Sequence, residues 1–212
     1  MTIPPLCILQ ARYHSTRLPG KMLQTLGDDT LIARGWRIAC VAFGAAHCVV
    51  AIPAPDALGP LGDELRRLGA TIFAWDGPED DVLGRFYHCA HRYRWHPDSV
   101  IVRYTPDDPF KAVASLRRVA AGERLPVEQG GEAFTLAMLD WAQNCTSDRG
   151  REHLTRILFL TAPPSPPPGV WTIDTADDLA AARTRLAEEE AAPSPTCPAE
   201  TWNICTCGAV AG

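Results

Sequence analysis

Short apolar runs alternate with amphipathic stretches along most of this chain. Leu6-Cys7-Ile8-Leu9 reads as a buried strand, because four consecutive apolar residues leave no face for water. Cys48 to Ile52, closed by Pro53, reads the same way, as do Thr71 to Ala74, Asp98 to Tyr104 and Val170 to Ile173. Helical spacing fills the intervals. It runs over Thr30 to Phe43 and over 59–69, and it is clearest where Val82, Phe86, Cys89 and Tyr93 recur at intervals of four, three and four, on one face. Further helices are expected over 111–122, 133–144 and 151–159. The proline-rich stretch Ala162 to Gly169 should run extended. Thr175-Ala176-Asp177-Asp178 is a capping-box pattern opening a helix with Leu179, Ala182 and Leu186 on its apolar face.

Strands alternating with helices predict a three-layer α/β/α sandwich with a mostly parallel, Rossmann-like sheet, since parallel strands need crossovers and the crossovers cover both faces. In such open sheets ligands bind outside the carboxyl ends of the strands. Three loops leave those ends here: 10–21, 105–109 and 174–178.

Composition agrees with one domain. The chain has 212 residues, 46% hydrophobic and 21% charged, a globular balance. The domain is expected over 1–190, with a tail over 191–212 rich in Ala, Pro, Ser and Thr. No apolar stretch reaches the ~18 residues of a membrane span, and Met1 to Leu9 lacks a signal peptide's basic start, so the expected address is cytoplasmic, without membrane insertion. A net charge of −5 argues against a nucleic-acid partner. Cys7, Cys40, Cys48, Cys89 and Cys145 sit in apolar surroundings and read as free buried thiols. Cys197, Cys205 and Cys207 lie in the tail, where a loose segment fits better than a metal site, there being no second pair and no nearby His.

Charge patterning singles out the three loops. The first holds Arg12, Ser15, Thr16, Arg17, Gly20 and Lys21. Forked guanidinium donors, an ammonium and approachable amides are what a polyphosphate needs, although a solvated basic loop has the same composition. Lys21 and Lys111 are the chain's two lysines against 18 arginines. The loop has neither a Walker order nor Gly-x-Gly-x-x-Gly. The second loop offers Asp107 and Asp108, the third Asp174. Magnesium takes one or two carboxylates plus phosphate oxygens, so Asp107 with Asp174 would suffice, while turn and cap chemistry accounts for each aspartate separately. If the loops converge, cations for phosphates and anions for a metal suit nucleotidyl transfer.

The residues also carry a resemblance. Ile8-Leu9-Gln10-Ala11-Arg12 with Ser15-Thr16-Arg17-Leu18-Pro19-Gly20-Lys21 resembles the opening signature of the cytidylyltransferases that include CMP-KDO synthetases, in the branch named after spore coat polysaccharide biosynthesis protein F. Five more blocks follow in the family's order: Glu79 to Tyr87, Val102 to Pro109, Glu132-Ala133-Phe134, Arg151-Glu152-His153-Leu154-Thr155 and Thr172 to Leu179. The resemblance implies the nucleotide-diphospho-sugar transferase type of fold and transfer of CMP from CTP to a sugar or sugar acid, for cell-surface glycan biosynthesis. It implies that Arg12, Ser15, Arg17, Lys21 and, less directly, Arg103 meet the nucleotide, with Arg12, Arg17 and Lys21 catalytic, and that the strand end at Leu9 and Ala11 lies against the base. Asp107 and Asp174 would hold Mg2+, with Glu132, Arg151, Glu152 and His153 toward the sugar.

Two departures stand out. Pro106 occupies the family's glycine position in the metal loop, which removes an amide donor. The segment between Pro109 and Glu132 is shorter and lacks a strand. The family's usual homodimer forms through this middle part, so its shortening leaves a homodimer open. The alternatives are a shortened homologue that binds nucleotide or a partner without turnover, and a glycosyltransferase of similar fold.

Overall fold

The structure, a computed structural model, describes residues 3–94, 96–146, 151–152, 154–159, 164–166, 168–169 and 172–191. Its centre is a five-stranded sheet of β1 (Leu6–Gln10), β4 (Cys48–Pro53), β5 (Ile72–Trp75), β6 (Val100–Tyr104) and β7 (Glu132–Thr135), in the order β5-β4-β1-β6-β7. All neighbours are parallel except β6 and β7. A separate two-stranded ribbon pairs β2 (Thr25–Leu26) with β3 (Asp29–Thr30).

Period-two alternation sends the sheet's side chains into two cores. Leu6, Ile8, Val49, Ala51 and Ile101 pack on one side beneath α3 (Val82–Tyr93), α6 (Leu136–Cys145) and α7 (Leu154–Leu158). Cys7, Leu9, Val50, Ile52 and Val102 pack on the other side beneath α1 (Leu31–Phe43), α2 (Pro60–Arg67) and α4 (Val113–Ala120). The expected three-layer α/β/α sandwich is therefore present, and no described helix is long and apolar enough to cross a membrane. A third, smaller core joins Leu26 and Leu31 to Ile173, Leu179 and Ala182, which brings α8 (Ala176–Ala191) back onto the β2–β3 ribbon.

Start signals act where the sequence places them. The Thr30 hydroxyl accepts from the Ala33 amide to cap α1, and the Asp81 carboxylate accepts from the Gly84 amide to cap α3. At α8 the Thr175 amide donates to Asp178 Oδ2 at 2.8 Å and the Asp178 amide to Thr175 Oγ1 at 3.2 Å, a reciprocal capping box.

Four expectations need correction. The helix expected over 133–144 starts later: Glu132–Thr135 is β7, antiparallel to β6, and α6 follows once the Thr135 hydroxyl caps Met138. Pairing with β6 outweighs the helical periodicity that the two elements share in sequence. The helix expected over 151–159 is the shorter α7. Thr172 and Ile173 belong to no strand, and the rest of that expected strand, Val170 and Trp171, lies outside the described residues. So do Trp95, the tail thiols Cys197, Cys205 and Cys207, and all of 192–212. Cys145, expected buried, is exposed at the carboxyl end of α6, while Cys7, Cys48 and Cys89 are buried as expected and Cys40 is intermediate.

Candidate active site

Strand β1 lies between β4 and β6, so connections leave it in opposite directions and open a crevice at its carboxyl end. A cleft of about 300 Å³ occupies that position, lined by Gln10, Ala11 and Arg12 and by residues of all three loops. The chain turns out of β1 at Ala11, whose amide donates to the Ala51 carbonyl at 3.3 Å. The basic loop then folds back on itself. The Gly20 amide donates to the Tyr13 carbonyl at 3.2 Å, and Gly20 takes φ of 65°, a left-handed conformation in which a side chain would be strained. A buried carboxylate, Asp56, accepts from the Tyr13 amide at 2.7 Å and pins the loop from below.

This folding delivers Lys21 to the cleft floor. Its ammonium lies 2.7 Å from Asp107 Oδ2 and 3.1 Å from Asp174 Oδ1, and Arg17 reaches Asp174 Oδ2 at 2.8 Å. The three loops thus meet across the crevice, with cations and carboxylates face to face. Ser15 and Thr16 line the same space, and Arg12 extends along it to Glu79 Oε1 at 3.1 Å. Arg103 stands on the far wall, donating to Gln10 Oε1 at 3.0 Å and to Glu132 Oε2 at 2.7 Å. Glu152 also lines the cleft. Leu9 is fully buried in the core on the α1 side. Arg151 is placed elsewhere: its guanidinium is on Asp81, at 2.7 and 3.2 Å, and so ties its loop to the start of α3. His153 lies outside the described residues.

Two departures noted in the sequence have structural answers. Pro106 is buried against Gly35 of α1, where an added Cβ would come within 2.8 Å of the proline ring. A glycine on the helix makes room for a proline on the loop. The segment between β6 and β7 holds α4 and a short turn of helix, α5 (Val127–Gly130), and no strand.

Arg85 is the main participant that sequence reasoning missed. It is 1% exposed, yet it lines the cleft and donates to the carbonyls of Ala11 at 3.3 Å and Glu79 at 2.8 Å. Burial, and after it the charge of Arg12, lowers its pKa, while Glu79, Asp56 and Asp81 pull it back up. Its one signal was position: it falls three residues after Val82, on the apolar face of α3. Asp56 gave no signal, since the stretch from Pro53 to Pro60 reads as turn chemistry.

Paired carboxylates sharing one cation fit magnesium. Asp107 and Asp174 present hard oxygen donors around a single positive charge, and both are partly open to the cleft. Among the described residues no cluster of three or more His, Cys, Asp or Glu could hold a metal ion by itself.

Comparison with known proteins bears on the same region. A family model described as cytidylyltransferase matches residues 6–124. The 3-deoxy-manno-octulosonate cytidylyltransferase of Stenotrophomonas maltophilia (strain K279a) is 36% identical over 115 residues, 53% of this chain and 42% of that protein. Its counterpart in Pseudomonas fluorescens (strain SBW25) is 30% identical over 121 residues, 57% of this chain and 46% of that protein. The chain thus spans less than half the length of the curated relatives it matches. Among solved structures, a cytidylyltransferase from Leptospira borgpetersenii superposes with a TM-score of 0.69 at 22% identity, covering 88% of each chain. A CMP:2-keto-3-deoxy-manno-octonic acid synthetase complexed with CTP gives 0.63 at 16% identity, covering 88% of this chain and 100% of that one. These two show the shared fold. The family match runs from β1 through the basic loop and the Asp107 loop to the end of α4, more than half of the chain, and by it the chain belongs to the cytidylyltransferase family.

Proposed function

We propose that the chain transfers CMP from CTP to a sugar or sugar acid, releasing pyrophosphate, in cytoplasmic glycan biosynthesis. The observation that carries this reading is the Lys21 ammonium between Asp107 and Asp174, with Arg17 alongside, on the floor of the cleft at the end of β1. An acceptor hydroxyl attacks the α-phosphorus and gives up its proton to solvent, the bond to the α,β-bridging oxygen breaks, and the electron pair leaves with pyrophosphate. Negative charge grows on the phosphates as this happens. Lys21, Arg17 and Arg12 are placed to bind that charge, and buried supports fix the loop that carries them, so little reorganisation accompanies the reaction. Magnesium, held by Asp107 and Asp174, would supply charge neutralisation on the phosphate oxygens. Arg85, by holding the Ala11 and Glu79 carbonyls, keeps the end of β1 rigid where the base would lie.

The test is pyrophosphate release from CTP with magnesium and a panel of sugars and sugar acids that includes 3-deoxy-manno-octulosonate. CTP should outperform UTP and ATP. Absence of CTP binding by calorimetry to folded protein with magnesium ends the proposal. One observation favours a second reading, nucleotide binding without turnover: the strand-free segment between β6 and β7. It gains if CTP binds and no acceptor yields pyrophosphate.

A further inference from the structure

The chain's other lysine pairs with the aspartate next to Asp107. Lys111 and Asp108 are each 3% exposed and form an ion pair beneath the cleft floor. The Lys111 ammonium also donates to the carbonyls of Val127 at 2.7 Å and Glu128 at 3.1 Å, so all three of its protons are used. Asp108 Oδ2 accepts from the Thr105 hydroxyl at 2.6 Å, and Oδ1 accepts from the Thr172 hydroxyl at 2.5 Å. One carboxylate thereby joins the end of β6, the turn before β7 and the stretch that carries Asp174. A backbone bond runs beside it, from the Ile173 amide to the Asp107 carbonyl at 2.8 Å.

Stability does not explain such a pair. Each ion costs several kcal/mol to bury, and an apolar pair of similar volume commonly serves a core as well or better. Burial pushes the Asp108 carboxyl up and the Lys111 ammonium down, each opposed by the partner's charge. Directionality is what an apolar pair lacks. Residues 105–111 and 172–174 have no periodic pairing to set their register, and the hydrogen bonds of Asp108 and Lys111 supply one.

We propose that Asp108 and Lys111 are positioning residues that set the spacing between the Asp107 and Asp174 carboxylates, and through it the grip on a divalent cation arriving with a triphosphate. This inference rests on the cytidylyltransferase reading of the cleft. Thr172 is the link that can be cut without leaving a buried charge, so Thr172→Val is the primary variant. The double variant Asp108→Asn with Lys111→Met removes both charges together.

The readout is CTP affinity by calorimetry with magnesium and again with EDTA, alongside the urea midpoint. For Thr172→Val, the ratio of the two affinities should fall about tenfold, at the lower end of what loss of a supporting group costs a metal site. Affinity in EDTA should stay within about twofold and the urea midpoint near the parent's, because the hydroxyl contacts no nucleotide. The double variant should show the same fall in ratio with a midpoint equal to the parent's or higher. An unchanged ratio in folded Thr172→Val overturns the positioning role and leaves the cytidylyltransferase reading intact. A parent protein whose CTP affinity does not respond to magnesium overturns both.

Discussion

At the scale of single residues, the cleft is a set of charges whose neighbours are already chosen. Lys21 is 7% exposed, and its ammonium has two carboxylates in reach. Under the proposed function these carboxylates hold the lysine where a triphosphate would meet it. Replacing it by alanine removes a charge-assisted hydrogen bond, worth about 1.5–3 kcal/mol, or roughly 10–150-fold in affinity. Lys21→Ala should therefore weaken CTP binding by at least tenfold in calorimetry and CMP binding by less than about threefold. Equal losses for the two nucleotides would place Lys21 away from the outer phosphates. The residues at this scale were unequally legible. Arg12, Arg17, Lys21 and Asp107 lie in loops that leave strands, and Asp174 follows an apolar run of sequence, so each charge is conspicuous against its apolar neighbours. Arg85 and Asp56 function by being buried, and sequence records the charge of a side chain without its depth.

At the scale of elements, the buried parallel strands and α1 and α3 were readable because pattern and environment agree: an all-apolar run for a strand covered on both faces, a stripe for a helix covered on one. β7 was not, because Phe134 fits a helical stripe as well as a strand. Its identity comes from pairing with β6 and from the Thr135 cap, both of which need the fold. Helix ends also cooperate across elements in a way that pH can probe. Thr30, the cap of α1, donates its hydroxyl proton to Glu64 of α2 at 3.0 Å, and Arg67 donates to the same carboxylate at 2.7 and 2.9 Å. The Arg67 hydrogen bonds, then Thr30's, hold the Glu64 carboxyl below its usual value against the opposing effect of burial. A carboxyl lowered in the folded state adds stability above its unfolded pKa and loses it as pH falls through the folded one. Glu64→Gln should thus lower stability at pH 7 by under about 1 kcal/mol, given the exposure of Arg67, and the gap in urea midpoints should close below about pH 4. A gap independent of pH would assign the effect to packing.

At the scale of the whole molecule, the cleft is made by the two ends of the fold. Lys21 and Asp174 are 153 residues apart, and α8, which follows Asp174 directly, is held on the β2–β3 ribbon by Arg183, whose guanidinium donates to the Thr25 carbonyl at 2.9 and 3.1 Å. A ligand bound there would bridge β1 and the segment leading into α8, so any global opening of the sheet would release it. Its binding free energy then counts toward the stability of the entire cooperative unit. At a concentration one hundred times its Kd, a ligand specific for the folded state adds about 2.7 kcal/mol. For a chain of this size that corresponds to roughly 5–11 °C in Tm. Calorimetric scans with CTP and magnesium should show one transition displaced by that amount, and scans with CTP and EDTA a smaller displacement. Hydrogen exchange should slow in β1 and in α8 together, since both lose the ligand in the same event. Protection confined to β1, with α8 exchanging as before, would mean that Asp174 does not share in holding the nucleotide and that the carboxyl-terminal helix folds onto the ribbon for packing alone.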